Sequence, residues 1–75
     1  MDIKKLEKIV SEKMGRTCMA REWKKAGQHR IYFSYTTSSG NIKEVGYIDL
    51  VKGIAVPAKK GRQMEALQAA LKEVQ

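Results

Sequence analysis

One cysteine, one proline, one histidine and one phenylalanine stand among the 75 residues, and each scarcity removes a possibility. Cys18 has no second cysteine with which to close a disulfide or build a thiolate metal cluster. Adding the lone His29 still leaves fewer ligands of these types than the three or four that zinc uses. Apolar runs are short, so no stretch approaches the roughly eighteen residues of a membrane span, and the first residues lack the apolar core of a secretory signal. The glycines around positions 53 and 61 lack the G-x-x-x-x-G-K-[ST] context of a phosphate loop, which excludes conventional nucleotide hydrolysis. The expectation is one reduced, cytoplasmic domain over residues 1–75, with no metal, no cofactor, no small-molecule substrate and no membrane contact.

Length narrows this further. A chain of this size buries only roughly 60% of the surface its unfolded form exposes, so a deep enclosed active site is not expected. Charge is what the chain has in quantity. Fifteen Lys and Arg stand against eight Asp and Glu, a formal net charge of +7, and a field of that sign favours polyanions. Residues 1–25 hold eight cations and four anions, residues 26–57 three and two, and residues 58–75 four and two. The two ends are basic and the middle is nearly neutral.

The hydrophobic pattern predicts the order of elements. Ile3, Leu6, Ile9, Val10 and Met14 recur at helical spacing, with Asp2 placed to cap the start of a helix over residues 2–14 and Gly15 to end it. From Thr17 the period changes to two, with Met19, Arg21 and Trp23 on one face and Cys18, Ala20 and Glu22 on the other; which face is inside stays open. Residues 24–28 read as a polar loop. The strand over residues 29–37 places Ile31, Phe33 and Tyr35 on one side and Arg30, Tyr32, Ser34 and Thr36 on the other. A turn at residues 38–41 leads to a strand over residues 42–51, in which Gly46 is placed to mark a bulge. Residues 54–56 form either a short fourth strand or an extended lead into the last helix, where Pro57 suits the first position and Met64, Leu67, Ala70, Leu71 and Val74 make the apolar stripe. The fold class expected is α+β: an α-β-β-β-α two-layer domain, an antiparallel three-stranded sheet with a possible short fourth strand, and two helices packed on one face.

Three basic features then suggest a site. Lys59, Lys60 and Arg62 crowd the start of the last helix, where the macrodipole disfavours cations unless an anion is bound. Lys24, Lys25, His29 and Arg30 put four basic side chains within seven residues beside a strand entry, suited to straddling a phosphate backbone. The first helix adds a mixed-charge face that includes Glu12. Trp23, Tyr32, Tyr35 and Tyr47 are candidate rings for base stacking, with Tyr35 more in line with the core and Tyr32 more suited to exposure.

Two family resemblances rest on these residues. Lys24-Lys25-Ala26-Gly27-Gln28-His29 followed by Phe33 resembles the Gly-Pro-x-His loop and following aromatic of double-stranded RNA-binding domains, and Lys59-Lys60-Gly61-Arg62 is similar to their Lys-Lys-x-Ala-Lys motif. Gln28 and the Gly61-Arg62 pair depart from that pattern. The resemblance implies duplex RNA contacted by Glu12, His29, Lys59, Lys60 and Arg62, the first helix and the loop meeting minor grooves and the last helix the phosphates between them. Gly27-Gln28-His29-Arg30-Ile31-Tyr32 and Val56-Pro57 are also similar to segments of HicA-type RNA-cleaving toxins. That likeness implies His29 as a catalytic residue acting on a ribose hydroxyl, although Gln28 stands where Ser or Thr is usual. The function expected is therefore a basic nucleic-acid-binding module, for RNA more than DNA and without catalysis. The alternatives are a HicA-like ribonuclease using His29 and a protein-binding phage or host-takeover factor.

Overall fold

A computed structural model describes residues 1–75. Two helices and four strands follow in the order α1 (Ile3–Met14), β1 (Met19–Lys25), β2 (Gln28–Thr36), β3 (Ile42–Asp49), β4 (Ile54–Pro57) and α2 (Arg62–Val74). The strands form one antiparallel sheet in chain order, each paired with its sequence neighbour. Both helices cover one face of it, the two-layer α+β arrangement that the sequence pattern predicts. No helix is long and apolar enough to cross a membrane.

Local chemistry accounts for the ends of α1. Asp2 Oδ1 accepts from the Lys5 N–H at 3.2 Å, and Gly15, at φ 73°, adopts the left-handed conformation that lets its N–H reach the Ser11 carbonyl at 2.9 Å. The apolar stripe of α1 buries Leu6, Val10 and Met14, that of α2 buries Ala66, Leu67, Ala70 and Leu71, and Ile31, Phe33, Val45 and Ile48 meet them from the sheet. Each large side chain so enclosed contributes about 1.5–3 kcal/mol of transfer free energy. The thin core is a cluster of 12 buried residues, nine of them Val, Leu, Ile, Met or Phe.

Four larger differences from the sequence reading each have a backbone reason, beside a one-residue offset of β2, which runs Gln28–Thr36 where residues 29–37 are expected. Residues 54–57 are a full fourth strand, because Ala55 and Val56 pair with Ile48 and Tyr47. Pro57 consequently closes β4 and α2 begins later, at Arg62, with Gly61 as its cap residue. Lys24 and Lys25 belong to β1, paired with His29 and Gln28, so the loop shrinks to Ala26-Gly27. Both of those residues have positive φ, 35° and 81°, as a two-residue hairpin of the primed type requires. β3 stops at Asp49 because residues 50–53 turn, with the Gly53 N–H bonded to the Asp49 carbonyl at 2.8 Å.

The bulge falls at the expected glycine. Register shifts between Phe33 and Ser34, opposite Val45 and Gly46. β1 is an edge strand, and α1 covers part of that edge: Ser11 Oγ accepts from the Cys18 N–H at 2.8 Å and Glu7 Oε2 from the Ala20 N–H at 2.8 Å. Two outward donors that would otherwise invite another strand are thereby satisfied within the chain.

Candidate nucleic-acid interface

The number of strands decides where the basic stretches lie. With three strands the last helix would start at the same end of the sheet as the β1–β2 loop; with four it starts at the other end. Two contacts show the resulting antiparallel helix pair. Arg62 Nη1 donates to the Met14 carbonyl at 3.4 Å, joining the start of α2 to the end of α1, and Lys5 Nζ meets Glu73 Oε2 at 2.8 Å at the opposite ends. The Glu73 carboxylate raises the Lys5 pKa, chiefly through that hydrogen bond.

Lys24 and Lys25 therefore sit at one end of the molecule and Lys59, Lys60 and Arg62 at the other. β2 has nine residues, and the eight steps between them at about 3.3 Å each make a span of about 26 Å. The overall dimensions are 36 × 23 × 21 Å. All five cations are exposed and none has a carboxylate within 4.0 Å. Lys59 and Lys60 occupy a bend ahead of α2, whose first turn has no side-chain cap. Arg62 is partly committed to the α1 carbonyl, a favourable place for a cation at a helix C-terminus. Glu12 is exposed in the last turn of α1, the end that Arg62 reaches through the Met14 carbonyl, and has no ion pair.

His29 has a partner that no spacing rule would reveal. Its Nε2 lies 2.5 Å from Glu22 Oε2, diagonally across the β1–β2 pair. Both side chains remain accessible, 21% and 41%. The arrangement orients the ring and places a carboxylate behind it, as a general base requires.

Arg30 lies on the other face. Cross-strand pairing sets Trp23, Arg30, Asp49 and Ile54 in one row and Arg21, Tyr32, Tyr47 and Val56 in the next, all turned away from the helices. The Arg30 guanidinium lies 4.7 Å from the Tyr47 ring centroid and 5.7 Å from that of Trp23, donates from Nη1 to the Tyr32 hydroxyl at 3.0 Å, and approaches Asp49 Oδ2 with Nε at 3.6 Å. That last separation is an ion pair longer than a hydrogen bond, and it leaves the buried Nε without a hydrogen-bond acceptor. The Tyr32 hydroxyl is the main cause of the raised Arg30 pKa. Tyr35 instead packs beside the core under the Arg16 guanidinium, 4.3 Å from its centroid.

Sequence periodicity separated Tyr32 and Tyr47 from the core but held no signal that they would be neighbours, since adjacency depends on register. The same applies to Asp49, which is 4% exposed and organises the β3–β4 turn through its side chain. No group of three or more His, Cys, Asp or Glu side chains is placed to hold a metal ion. Burial raises the pKa of the Cys18 thiol, which keeps it in the neutral, less nucleophilic form. Comparison of the chain with protein-family models, with curated proteins and with solved structures finds no match.

Proposed function

We propose that this chain is a small nucleic-acid-binding module that holds a structured or double-stranded polynucleotide through its phosphates. The observation that carries this reading is the pair of unneutralised basic ends, Lys24 and Lys25 at one and Lys59, Lys60 and Arg62 at the other. A separation of about one strand length, about 26 Å, lets the two ends meet phosphates far apart on one duplex together. The likeness of the basic stretches to those of double-stranded RNA-binding domains favours RNA over DNA as the ligand.

The test is a binding titration with RNA and DNA duplexes of about 16 base pairs across a range of salt. Affinity is expected to fall steeply as salt rises, each phosphate neutralised adding about 0.9 to the negative logarithmic slope for a B-form duplex. Undetectable binding to both duplexes at low salt would falsify the reading. One contact, Glu22 with His29 at 2.5 Å, favours a second reading, RNA cleavage. Recovery of the RNA from the same titration distinguishes the two: intact RNA supports binding alone, whereas fragments that disappear with His29→Ala support the ribonuclease.

A further inference from the structure

The sheet face opposite the helices is built from side chains that a phosphate-binding module does not need. Trp23 is 36% exposed there, and Tyr32 and Tyr47 are half-buried with ring centroids 5.0 Å apart and planes inclined by 38°. Beside them is an open hollow of about 760 Å³ bordered by Arg21, Tyr32, Glu44, Tyr47, Val56 and Pro57. Arg30 is held against the Tyr47 and Trp23 rings by the Tyr32 hydroxyl and Asp49, so its charge lies over their π-faces.

Charge and shape together select an occupant. The hollow is lined by one cation, Arg21, against two carboxylates, Glu22 and Glu44, so a phosphate backbone lying in it finds no net attraction. A nucleobase carries no such charge, presents a flat face to Tyr32 and Tyr47, and can offer an exocyclic amino group to a carboxylate. Bases within a duplex have both faces already stacked, so only an unpaired base can use these rings. Arg21 and Lys25 have the parity that turns them to this same face of β1, and neither has a carboxylate within 4.0 Å, which leaves them for the flanking phosphates. A second copy of the chain is disfavoured on this face, because each copy carries a net charge of +7.

We propose that the uncovered sheet face is a stacking platform for unpaired nucleobases, with Tyr32, Tyr47 and Trp23 supplying the rings and Arg21 and Lys25 the phosphate contacts. This rests on the nucleic-acid reading above and deepens it: the ligand contains a single-stranded stretch as well as, or in place of, a duplex. Trp23 and Tyr32 come from the β1–β2 hairpin and Tyr47 from β3, so the platform exists only in the folded sheet.

Trp23 is the only tryptophan, so its fluorescence reports on this face alone. The full chain is titrated at low salt with an unstructured single-stranded RNA of about 12 nucleotides and with a blunt RNA duplex of about 16 base pairs. Single strand is expected to quench Trp23, and Tyr32→Ala and Tyr47→Ala each to weaken its binding about tenfold or more. Tyr32→Phe and Tyr47→Phe, which keep the rings, are expected to stay within a few-fold of the unaltered chain. If an alanine variant fails to fold by circular dichroism, Trp23→Ala at its exposed position carries the same test by anisotropy of labelled RNA. Duplex binding with no single-strand binding, or single-strand binding that leaves Trp23 fluorescence unchanged, overturns the platform while the phosphate-binding module stands. Absence of binding to either RNA overturns the platform, and the phosphate-binding module falls with it when duplex DNA also goes unbound. A Trp23 signal that shifts with protein concentration before RNA is added assigns the face to a second copy and overturns the platform as well.

Discussion

Asp49 is a buried carboxylate whose oxygens are nearly all committed. Oδ1 accepts from the Val51 and Lys52 N–H groups at 3.0 and 2.9 Å, and Oδ2 faces Arg30. The Lys52 N–H is the largest cause holding its pKa below the usual carboxylate value, with the Val51 N–H and Arg30 adding to it and burial opposing. A carboxyl whose folded pKa is depressed stabilises the fold above its unfolded pKa, about 3.9, and that contribution is lost as pH falls through the lower, folded value. Thermal melts at about pH 6 and stepwise below pH 4 are therefore expected to fall more steeply for the natural chain than for Asp49→Asn, which has no charge to lose. Parallel curves would show that Asp49 does not link folding to protons. At this scale the sequence was a poor guide to partners. Arg30 stands beside Lys24 and Lys25 in the chain and reads as one of a basic group, yet alternation turns it to the opposite face from His29, and the β2–β3 register then sets it against Asp49.

Among the elements, β3 and α2 depend on one missing side chain. A Cβ on Gly46 would lie 2.4 Å from the Val56 carbonyl oxygen, 2.7 Å from Leu67 Cδ1 and 2.8 Å from Pro57 Cα, at a φ of 136° that other residues rarely adopt. Leu67 can shift, but the backbone of β4 cannot without breaking its pairing with β3. Gly46→Ala is accordingly expected to destabilise the domain by about 3 kcal/mol or more, from strain and overpacking together. Urea unfolding checks this, and a loss below about 1 kcal/mol would mean that β4 is free to move away. Helices were the most legible elements, since 3.6-residue periodicity and the Asp2 and Gly15 caps are local signals. The glycine of the bulge was legible too. The sequence does not specify β4 because four residues with no alternation carry little local preference, and its strand character comes from ladder bonds to β3 and from α2 lying over it. Lys24 and Lys25 are strand residues where polarity predicts a loop, because an edge strand accommodates lysine where its outer side meets water.

Across the whole molecule, strand number governs the distribution of charge. Four strands reverse the direction in which α2 enters, separate Lys59 and Lys60 from Lys24 and Lys25 by about 26 Å or more, and create two basic ends in place of one cluster. Side-chain changes that far apart are expected to act independently. Lys24→Gln with Lys25→Gln, and Lys59→Gln with Lys60→Gln, are each expected to lower the salt slope of duplex binding by up to about 2, and the four changes together by close to the sum. Melting temperatures should move little, because these side chains are exposed and unpaired. If one pair alone abolishes binding and the other has no effect, the ligand engages a single end. The basic stretches were visible in the sequence, but their separation was not, because one short strand more or less reverses it.

By itself the amino-acid sequence determined the local features: two amphipathic helices with their caps, the period-two segments, the bulge glycine, and a surplus of positive charge held in two stretches. Those follow from backbone geometry and side-chain chemistry over a few residues. Tertiary structure alone decided that β4 completes the sheet, that the basic stretches lie at opposite ends, that His29 meets Glu22, and that Trp23, Arg30, Tyr32 and Tyr47 gather on the uncovered face. Each of these depends on strand register and on the parity of chain reversals, which the packing of Phe33, Ile48 and Leu67 in a common core selects and which no short stretch of sequence encodes.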